Sequence, residues 1–405
     1  MASPAPNLPV GPVLAATTST QALSTLGVLA LAAVAPRAAT ELGVSAALIG
    51  YQVGLVFLAA SMSALMAGGV ARRYGPVRAS QLSLAFVAAG CVCSALGSFP
   101  TLAAGAVIMG MGYGLTNPAA SQLLSRAPST RGMNLIFSIK QTGVPIGGVL
   151  AGVAMPPLTE SLGWQWALAV AALAIAALGL ALERVRLAWD TERQPGAPLI
   201  EAARSAALVV WKHKPLRWLA AASFLYSGAQ LSLSGFLVTY LVADVQMSLV
   251  AAGTILALTN AAGAGGRLFW GWLADRLASG GKALMANGAM SVVFALATAA
   301  MAPAWPTWAV ALVAAAFGFC AMGWNGVYIA VIARQAPPGS IGIATGGSLM
   351  VTYAGSVVIP PAFGALHARL DVSYGTGFAL LSLVTLLGIA CVYLVRRSAF
   401  KLKGP

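Results

Sequence analysis

The sequence predicts an all-α integral membrane protein in which twelve transmembrane helices form two pseudo-symmetric six-helix bundles. Hydrophobic residues fill 59% of its 405 positions, and charged residues fill only 8%. The mean hydropathy of +0.85 lies far outside the range of soluble domains. A stretch of about 20 apolar residues crosses the bilayer core as a helix, and the chain contains twelve such stretches.

The twelve predicted spans follow one another along the whole chain. They run Leu14–Ala35, Ile49–Val70, Ala79–Ser98, Leu102–Leu124, Leu135–Met155, Trp164–Leu182, Trp218–Val242, Met247–Leu273, Ala283–Ala302, Trp308–Ile332, Ile341–Leu366 and Tyr374–Val395.

The longest polar segment, Glu183–Arg217, follows the sixth span and has seven basic and four acidic residues. We therefore predict an N-terminal six-helix bundle in residues 1–183 and a cytoplasmic linker in residues 184–216. A C-terminal six-helix bundle and a cytoplasmic tail take up residues 217–405. Within the linker, Ala197–Trp211 has the pattern of an amphipathic helix that lies on the cytoplasmic face.

The net charge of +14 is distributed as in a membrane protein. If both termini are cytoplasmic, 19 of the 23 Lys and Arg residues lie on that side, and only Arg37 and Arg369 lie outside. This is the positive-inside bias, so the charge does not indicate a nucleic-acid partner. We expect a multi-pass, monomeric protein of the bacterial inner membrane, surrounded by the lipid bilayer.

The composition also argues against catalysis. No soluble region is large enough for a catalytic domain, and the predicted spans contain no nucleophile, base or metal cluster. The four cysteines lie in apolar spans, where cysteine behaves as a small hydrophobe. We expect neither an enzyme nor a bound metal or cofactor.

The two halves of the sequence resemble each other. Span two ends in GGVARRYGPVR and span eight in GWLADRLASGGK. Span four ends in NPAASQLLSR, from Asn117 to Arg126, and span ten ends in NGVYIAVIAR, from Asn325 to Arg334. Both pairs are offset by a little over 200 residues. Two six-helix repeats are the simplest interpretation, and such repeats place a site near the midplane between them.

The stretch from Gly271 to Lys282 resembles the cytoplasmic loop signature of the major facilitator superfamily, G-x-x-x-D-[RK]-x-G-[RK]-[RK]. In that family the Asp is thought to stabilise the state closed to the cytoplasm by facing the start of a helix from the opposite half. The resemblance therefore gives this role to Asp275, followed by Arg276, against the start of span five. Arg72 replaces the acidic residue in the first copy, and a guanidinium is unfavourable at a helix N-terminus. The alternative is that these loop charges only keep the loops on the cytoplasmic side of the membrane.

Only two charged residues, Lys140 and Arg267, lie inside the predicted spans. Each costs about 2.5 to 3.5 kcal/mol at mid-bilayer on insertion scales. Counted along the helices from Arg131 and Asp275, both lie roughly 12 to 14 Å from the inner surface. In the superfamily, spans five and eight are neighbours across the interface, so the resemblance brings both cations to one anion site. The alternative is that their long side chains snorkel to water or phosphate.

Arg267 has a second resemblance. The stretch from Asn260 to Arg276 reads NAAGAGGRLFWGWLADR. It resembles the eighth span of oxalate/formate exchangers and monocarboxylate transporters. In those families an arginine at this position engages the substrate carboxylate. Their second cation is not in span five, so this resemblance does not extend to Lys140.

Polar residues at helical spacing predict the rest of the substrate-binding wall. The predicted substrate-binding residues are Lys140, Arg267, Asn260, Gln230, Tyr226, Asn117, Gln141 and Asn325. The stripes behind them are Thr17, Gln21 and Ser24; Tyr113, Asn117 and Ser121; Ser223, Tyr226, Gln230 and Ser234; and Thr345, Ser348, Thr352 and Ser356. The alternative for each stripe is helix packing, since Ser and Thr often join membrane helices.

Span five also contains Gly143, Pro145 and Gly147, which permit close helix approach and bending. We therefore predict that they take part in gating and conformational change. The other residues with this predicted role are Asp275, Arg276, Gly271, Arg131 and Arg72. The segment resembles the G-P-x-x-G-G element of drug/proton antiporters, with a spacing that differs by one residue.

Together these features predict a secondary transporter of a small organic anion, a mono- or dicarboxylate, that works by alternating access. Transport is coupled either to protons, carried through Lys140, or to the exchange of anions. Multidrug or antibiotic efflux and an inorganic-anion permease of the nitrate or cyanate type remain as alternatives.

Overall fold

The computed structural model describes residues 8–43, 46–126, 132–370 and 372–401, and the regular structure within these residues is helical. The helices before the linker are α1 (Val10–Ala33), α2 (Ala35–Leu42), α3 (Ala46–Tyr74), α4 (Pro76–Ala95), α5 (Phe99–Ser125), α6 (Met133–Gln141), α7 (Gly143–Leu162) and α8 (Trp164–Ala181). The linker contains α9 (Glu183–Trp189) and α10 (Leu199–Lys212). The remaining helices are α11 (Lys214–Ala243), α12 (Leu249–Arg276), α13 (Gly280–Ala299), α14 (Thr307–Ala321), α15 (Asn325–Gln335), α16 (Ile341–Leu370) and α17 (Tyr374–Lys401).

Eleven helical segments in the described residues are long enough and apolar enough to cross a membrane. Three of them each combine two helices that are separated by a short break: Met133–Leu162, Trp164–Trp189 and Thr307–Gln335. The predicted eighth span is the 28-residue helix α12, which carries Arg267 and is not among the eleven. The all-α membrane architecture predicted from composition is therefore confirmed.

The chain forms two compact units. Unit 1 comprises Met1–Ser129, Lys140–Lys212 and Ala336–Tyr353, and unit 2 comprises Thr130–Ile139, His213–Gln335 and Ala354–Pro405. Each unit thus includes one segment from the other half of the sequence. The predicted division into an N-terminal bundle that ends at residue 183 and a C-terminal bundle that begins at residue 217 stays a prediction.

The core of unit 1 is built where α1 packs against α7 and α8. Leu31, Met155, Trp164 and Leu168 are buried there. The helices α1 and α7 approach closely because glycine lies at the contact: a Cβ on Gly147 would lie 2.2 Å from the carbonyl oxygen of Ala22.

The linker is joined to unit 1 at the start of α4. The Asp190 carboxylate accepts hydrogen bonds from the backbone N–H groups of Val77, at 2.8 Å, and Arg78, at 3.0 Å. These are donors at a helix N-terminus, where a carboxylate is favourable. Gly75, the residue before α4, has a φ of +96°, a conformation that glycine adopts readily. The start of the linker therefore serves as a cap for a transmembrane helix.

The predicted amphipathic helix is present as α10. Its buried residues Ala206 and Val210 face unit 1, and a Cβ on Gly347 of α16 would lie 2.3 Å from the Ala206 carbonyl oxygen. Ala206 and Val210 are thus covered by protein, whereas Leu208 and Trp211 of the same helix are exposed.

The core of unit 2 contains a group of large apolar side chains, among them Leu237, Tyr240, Phe317 and Phe378. The Tyr240 hydroxyl donates to the carbonyl of Thr298 at 2.6 Å. This hydrogen bond allows a tyrosine to be almost fully buried.

Candidate functional site

Lys140 lies in the last turn of α6 and is only 1% exposed. Its Nζ donates to Gln21 Oε1 at 2.7 Å, to Gln141 Oε1 at 3.4 Å, and to Asn117 Oδ1 through a short hydrogen bond. Three amide oxygens thus receive the hydrogens of the ammonium group, which has three N–H donors and no acceptor. Amide oxygens are neutral acceptors that solvate a positive charge.

Local backbone structure brings these groups together within unit 1. The helix breaks at Thr142, directly after Gln141, and α7 begins at Gly143. Pro145 has no N–H, so the carbonyl of Gln141 cannot form its usual helical hydrogen bond. A Cβ on Gly143 would lie 2.8 Å from the Cβ of Gln21. Glycine therefore lets α1 bring Gln21 beside the lysine.

A second layer of side chains surrounds this amide cage. Gln21 Nε2 donates to the Tyr113 hydroxyl at 3.2 Å, and Asn117 Nδ2 donates to the Tyr353 hydroxyl at 3.3 Å. The two tyrosine rings lie 6.1 Å apart between centroids, and the ring of Phe57 lies 6.0 Å from Tyr113 and 5.8 Å from Tyr353. All of these residues belong to unit 1.

Sequence reasoning found only part of this arrangement. Asn117 and Gln141 were predicted as binding residues, whereas Gln21 and Tyr113 appeared only as members of polar stripes. Tyr353 and Phe57 were missed. Tyr353 directly follows Thr352 of the span-eleven stripe, which is the one signal in the sequence that indicates it.

The second cation, Arg267, lies on α12 in unit 2 and is 3% exposed. The helix comes close to α14 at this level, since a Cβ on Gly266 would lie 2.0 Å from the carbonyl oxygen of Phe319. Asn260 is exposed on the same helix, and its Nδ2 donates to the Leu256 carbonyl at 3.0 Å.

The other predicted binding residues of unit 2 lie near the side-chain amide of Gln230. Gln230 Oε1 accepts from Trp324 Nε1 at 3.1 Å and from Asn325 Nδ2 at 3.0 Å. Tyr226 is buried against Trp324, with ring centroids 5.8 Å apart, and its hydroxyl donates to the Leu284 carbonyl. The structure therefore brings Gln230 and Asn325 together and gives Tyr226 a packing contact beside them.

The hydroxyl groups of the predicted stripes bond mainly to the backbone. Thr17 donates to the Val13 carbonyl at 2.8 Å, and Ser223 donates to the Ala220 carbonyl at 2.8 Å. Such bonds satisfy a hydroxyl within its own helix. Between helices, the amide side chains form the bonds described above, and the Ser356 hydroxyl bonds to the Ser227 hydroxyl at 2.5 Å.

Asp275, near the end of α12, contacts the start of α6 within unit 2. Its carboxylate accepts from the backbone N–H groups of Asn134, at 3.2 Å, and Leu135, at 2.9 Å. The Asn134 side chain donates to the same carboxylate at 2.6 Å and accepts a short hydrogen bond from Arg334. A Cβ on Gly271 would lie 2.3 Å from Ser138 Oγ. A carboxylate and a close helix contact therefore hold the first turns of α6.

The remaining loop charges have different surroundings. Arg72 is in unit 1, where its guanidinium donates to the Gly339 carbonyl at 3.5 Å. This contact precedes α16, and it lacks the helix-capping geometry of Asp275. The Arg276 guanidinium lies 5.1 Å from the ring centroid of Trp272. Arg131 lies outside the described residues.

Comparisons with known proteins agree with this architecture. The family model for the Major Facilitator Superfamily matches residues 17–360. The probable nitrate/nitrite transporter NarK2 of Mycobacterium tuberculosis is 25% identical over 366 residues, which cover 88% of each chain.

Two solved structures resemble the chain in fold. The E. coli fucose:proton symporter FucP matches with a TM-score of 0.73 and 16% identity, covering 95% of this chain and 99% of that one. The human organic anion transporter MFSD10 matches with a TM-score of 0.77 and 16% identity, covering 95% and 100%. Because the family model covers most of its length, the chain belongs to the Major Facilitator Superfamily and is a multi-pass membrane transporter.

Proposed function

We propose that this transporter carries a small organic anion, a mono- or dicarboxylate, by alternating access. The observation that carries the proposal is a buried cation in each unit, Lys140 and Arg267. The predicted spans contain no Asp, Glu or His. A charge buried in a membrane protein is costly and usually serves transport.

The chemistry of the two side chains suits an anion. The planar guanidinium of Arg267 can donate two parallel hydrogen bonds to a carboxylate, while the ammonium of Lys140 supplies a compact charge. In unit 1 that ammonium donates to the amide oxygens of Gln21, Asn117 and Gln141.

The comparisons support an anionic substrate. NarK2 is described as a probable nitrate/nitrite transporter, and MFSD10 as an organic anion transporter. FucP, a fucose:proton symporter, shows that the fold also serves uncharged substrates. The two buried cations are therefore the reason for preferring an anion.

An inorganic anion is the second candidate. NarK2 resembles this chain over 88% of its length, and nitrate is a planar oxyanion that the same guanidinium can bind. Formate, oxalate and nitrate present similar oxygen pairs, so binding measurements have to separate them.

Coupling follows one of two routes. Either one anion is exchanged for another, or a proton is carried with the anion through Lys140. The second route is proposed because no carboxylate in the predicted spans can carry the proton.

The change of state is proposed to involve two sets of residues. In the first set, Asp275 and Gly271 hold the start of α6 in unit 2, and Arg276 follows Asp275 in the chain. The second set lies next to Lys140 in the chain. It contains Pro145, which contributes to the break between α6 and α7, and Gly143 and Gly147, which allow α7 to contact α1 closely. We further propose a monomer in the bacterial inner membrane with both termini in the cytoplasm, in keeping with the distribution of Lys and Arg.

A thermal-shift screen of the purified full-length protein tests the substrate class. The ligands are formate, oxalate, nitrate, cyanate and, for drug export, tetraphenylphosphonium, with chloride as the ionic-strength control. A ligand at 100 times its Kd stabilises the folded state by about 2.7 kcal/mol. We expect stabilisation by a carboxylate. Stabilisation by nitrate alone supports the second candidate, and stabilisation by the lipophilic cation without any anion overturns the proposal.

A further inference from the structure

A cavity of about 450 Å³ lies at the end of α7, where this helix passes α1 and α2. Small-ligand sites have volumes of about 300 to 1,000 Å³. The wall has an apolar side, a guanidinium, a carboxylate and a hydroxyl. Its residues all belong to unit 1 and lie outside the predicted substrate-binding set. They are Ala33, Val34, Arg37, Pro156, Thr159 and Glu160.

Thr159 and the backbone of α7 provide acceptors at this cavity. Thr159 is only 8% exposed, and its Oγ1 has no hydrogen-bond partner in the part of the chain that the structure describes. A buried polar group without a partner is costly, so this hydroxyl indicates a place where a ligand supplies one. Pro156 has no N–H, so the Gly152 carbonyl, which points along the helix towards Pro156, cannot form its usual helical hydrogen bond. Both groups can accept from a ligand.

The Arg37 guanidinium is fixed at the opposite wall. Its Nε donates to Glu41 Oε1 at 2.8 Å, and Glu41 Oε2 accepts from Trp164 Nε1 at 2.8 Å. The ring of Trp164 is fully buried, so it anchors this pair to the core of unit 1. Because the contact with Glu41 uses Nε, the two Nη groups of Arg37 can donate to an oxyanion.

The balance of charge selects the kind of ligand. Glu41 and Glu160 bring two negative charges to one positive charge, so a simple anion is disfavoured. A primary ammonium has three N–H donors and no acceptor, and it matches the Glu160 carboxylate, the Thr159 hydroxyl and the Gly152 carbonyl. Arg37 in turn requires an anionic group. A zwitterion that joins a phosphate to a primary ammonium satisfies both walls.

The surface of α7 before the cavity is apolar. Val149 is 64% exposed and Val153 is 71% exposed. Residues three, four and seven apart share one face of a helix, so both valines lie on the face of Pro156 and Glu160. Along this face the polar cavity at the end of α7 continues into an apolar surface of a predicted membrane span. Such a surface suits the acyl chain of a lipid.

We propose that this cavity binds the headgroup of phosphatidylethanolamine, with the phosphate on Arg37 and the ammonium on Glu160 and Thr159. An acyl chain lies along Val153 and Val149. In the proposed orientation Arg37 is on the outer side of the membrane, so the lipid belongs to the outer leaflet. The inference goes beyond the proposed transport function and does not depend on the substrate.

Lipid titrations of the purified full-length protein in detergent test the proposal, with thermal unfolding as the measurement. The probes are dihexanoyl phosphatidylethanolamine, phosphatidylcholine, whose ammonium has no N–H, and phosphatidylglycerol, which has no ammonium. We expect phosphatidylethanolamine to bind about 10-fold more tightly than either, a difference of roughly one hydrogen bond to a charged group. Equal stabilisation by the three lipids overturns the proposal.

Glu160→Gln should lose the preference for phosphatidylethanolamine over phosphatidylglycerol, because it removes the charge that faces the ammonium. Arg37→Gln should weaken both lipids about 3-fold to 10-fold, because both carry the phosphate. The matched control is Glu192→Gln, an exposed carboxylate of unit 1 that pairs with Arg126. It should keep the wild-type preference. A preference that survives in Glu160→Gln contradicts the assignment of the ammonium site.

Thr159→Val separates a ligand contact from a structural role. The variant removes a hydroxyl that has no partner within the described residues. Without lipid it should therefore unfold at or above the wild-type temperature, while phosphatidylethanolamine binds about 3-fold more weakly. A lower unfolding temperature with an unchanged Kd shows a structural hydroxyl and counts against the proposal.

Free phosphoethanolamine distinguishes the lipid from a soluble zwitterion of the same chemistry. It lacks the acyl chain that would contact Val153 and Val149, so we expect it to bind at least 10-fold more weakly than the lipid. If it binds as tightly as phosphatidylethanolamine, the site takes a soluble zwitterion and the lipid inference is wrong.

Discussion

At the scale of single residues, Lys140 shows how a buried charge is surrounded by polar side chains. Its position inside an apolar segment was evident from the sequence, because no other span of the N-terminal half has a charge. Its partners were harder to predict, since Gln21 lies 119 residues away and Asn117 lies 23 residues away. Helical periodicity indicates which residues share a face, but it does not say which faces meet.

The proton-symport route gives a prediction for Lys140 itself. Proteoliposomes that contain the wild type are expected to acidify their lumen as the anion enters, whereas Lys140→Gln should abolish the acidification. Glutamine keeps hydrogen-bonding capacity but cannot carry a proton at neutral pH. A pH-sensitive dye inside the liposomes reports the change. Acidification that persists in Lys140→Gln rules out the lysine as the proton carrier.

At the scale of helices, the contact between α1 and α7 places the cage. The sequence predicted close packing and bending from the glycines and Pro145, and the structure has both the break at Thr142 and the contact at Gly147. Which glycines form contacts was not predictable from spacing. A Cβ on Gly152 of the same helix meets no atom within 4 Å.

That difference predicts opposite effects of the same substitution. Gly147→Ala should lower the free energy of unfolding by about 1 to 3 kcal/mol, because the new methyl group clashes with the Ala22 carbonyl. Gly152→Ala should be neutral or raise it by up to about 1 kcal/mol, because alanine favours the helix. Thermal unfolding of both purified variants gives the comparison. Equal effects would show that the α1–α7 contact is looser than described.

The cap at the start of α6 gives a second prediction at this scale. Asp275→Asn removes a charge that accepts from two helix N–H groups, and Asp244→Asn removes one that accepts from the N–H of Gly375 at the start of α17. Each variant should lose about 0.3 to 1 kcal/mol of stability. We expect only Asp275→Asn to slow transport, measured as anion uptake by proteoliposomes. Equal transport rates in the two variants contradict a conformational role for Asp275.

At the scale of the whole molecule, composition and the internal repeat were sufficient to predict the fold. Bilayer-spanning segments must satisfy their own backbone hydrogen bonds, so long apolar stretches form helices. The resemblance to the superfamily placed Asp275 against the start of span five, and Thr130–Ile139 belongs to the compact unit of Asp275, but no sequence pattern predicted that Ala336–Tyr353 belongs with Lys140. That assignment depends on contacts between distant segments, which no local pattern encodes.

The distribution of Lys and Arg predicts the orientation in the membrane. In a variant without native cysteines, Ser161→Cys should react with a membrane-impermeant maleimide in intact expressing bacteria. Gln194→Cys, in the linker, should react only in inverted membrane vesicles. Both positions are exposed. The reverse pattern of labelling would contradict cytoplasmic termini.

Uptake of labelled oxalate and nitrate by proteoliposomes containing the wild type, Arg267→Lys or Arg267→Gln tests the central claim most directly. Arg267→Lys keeps the charge and loses the planar fork, so we expect its kcat/KM to fall about 10-fold to 100-fold, the loss of one bidentate charge-assisted contact. Arg267→Gln should abolish uptake, while thermal unfolding shows that both variants are folded. Anion uptake at the wild-type rate in both variants would contradict the assignment of Arg267, and with it the proposed anion site.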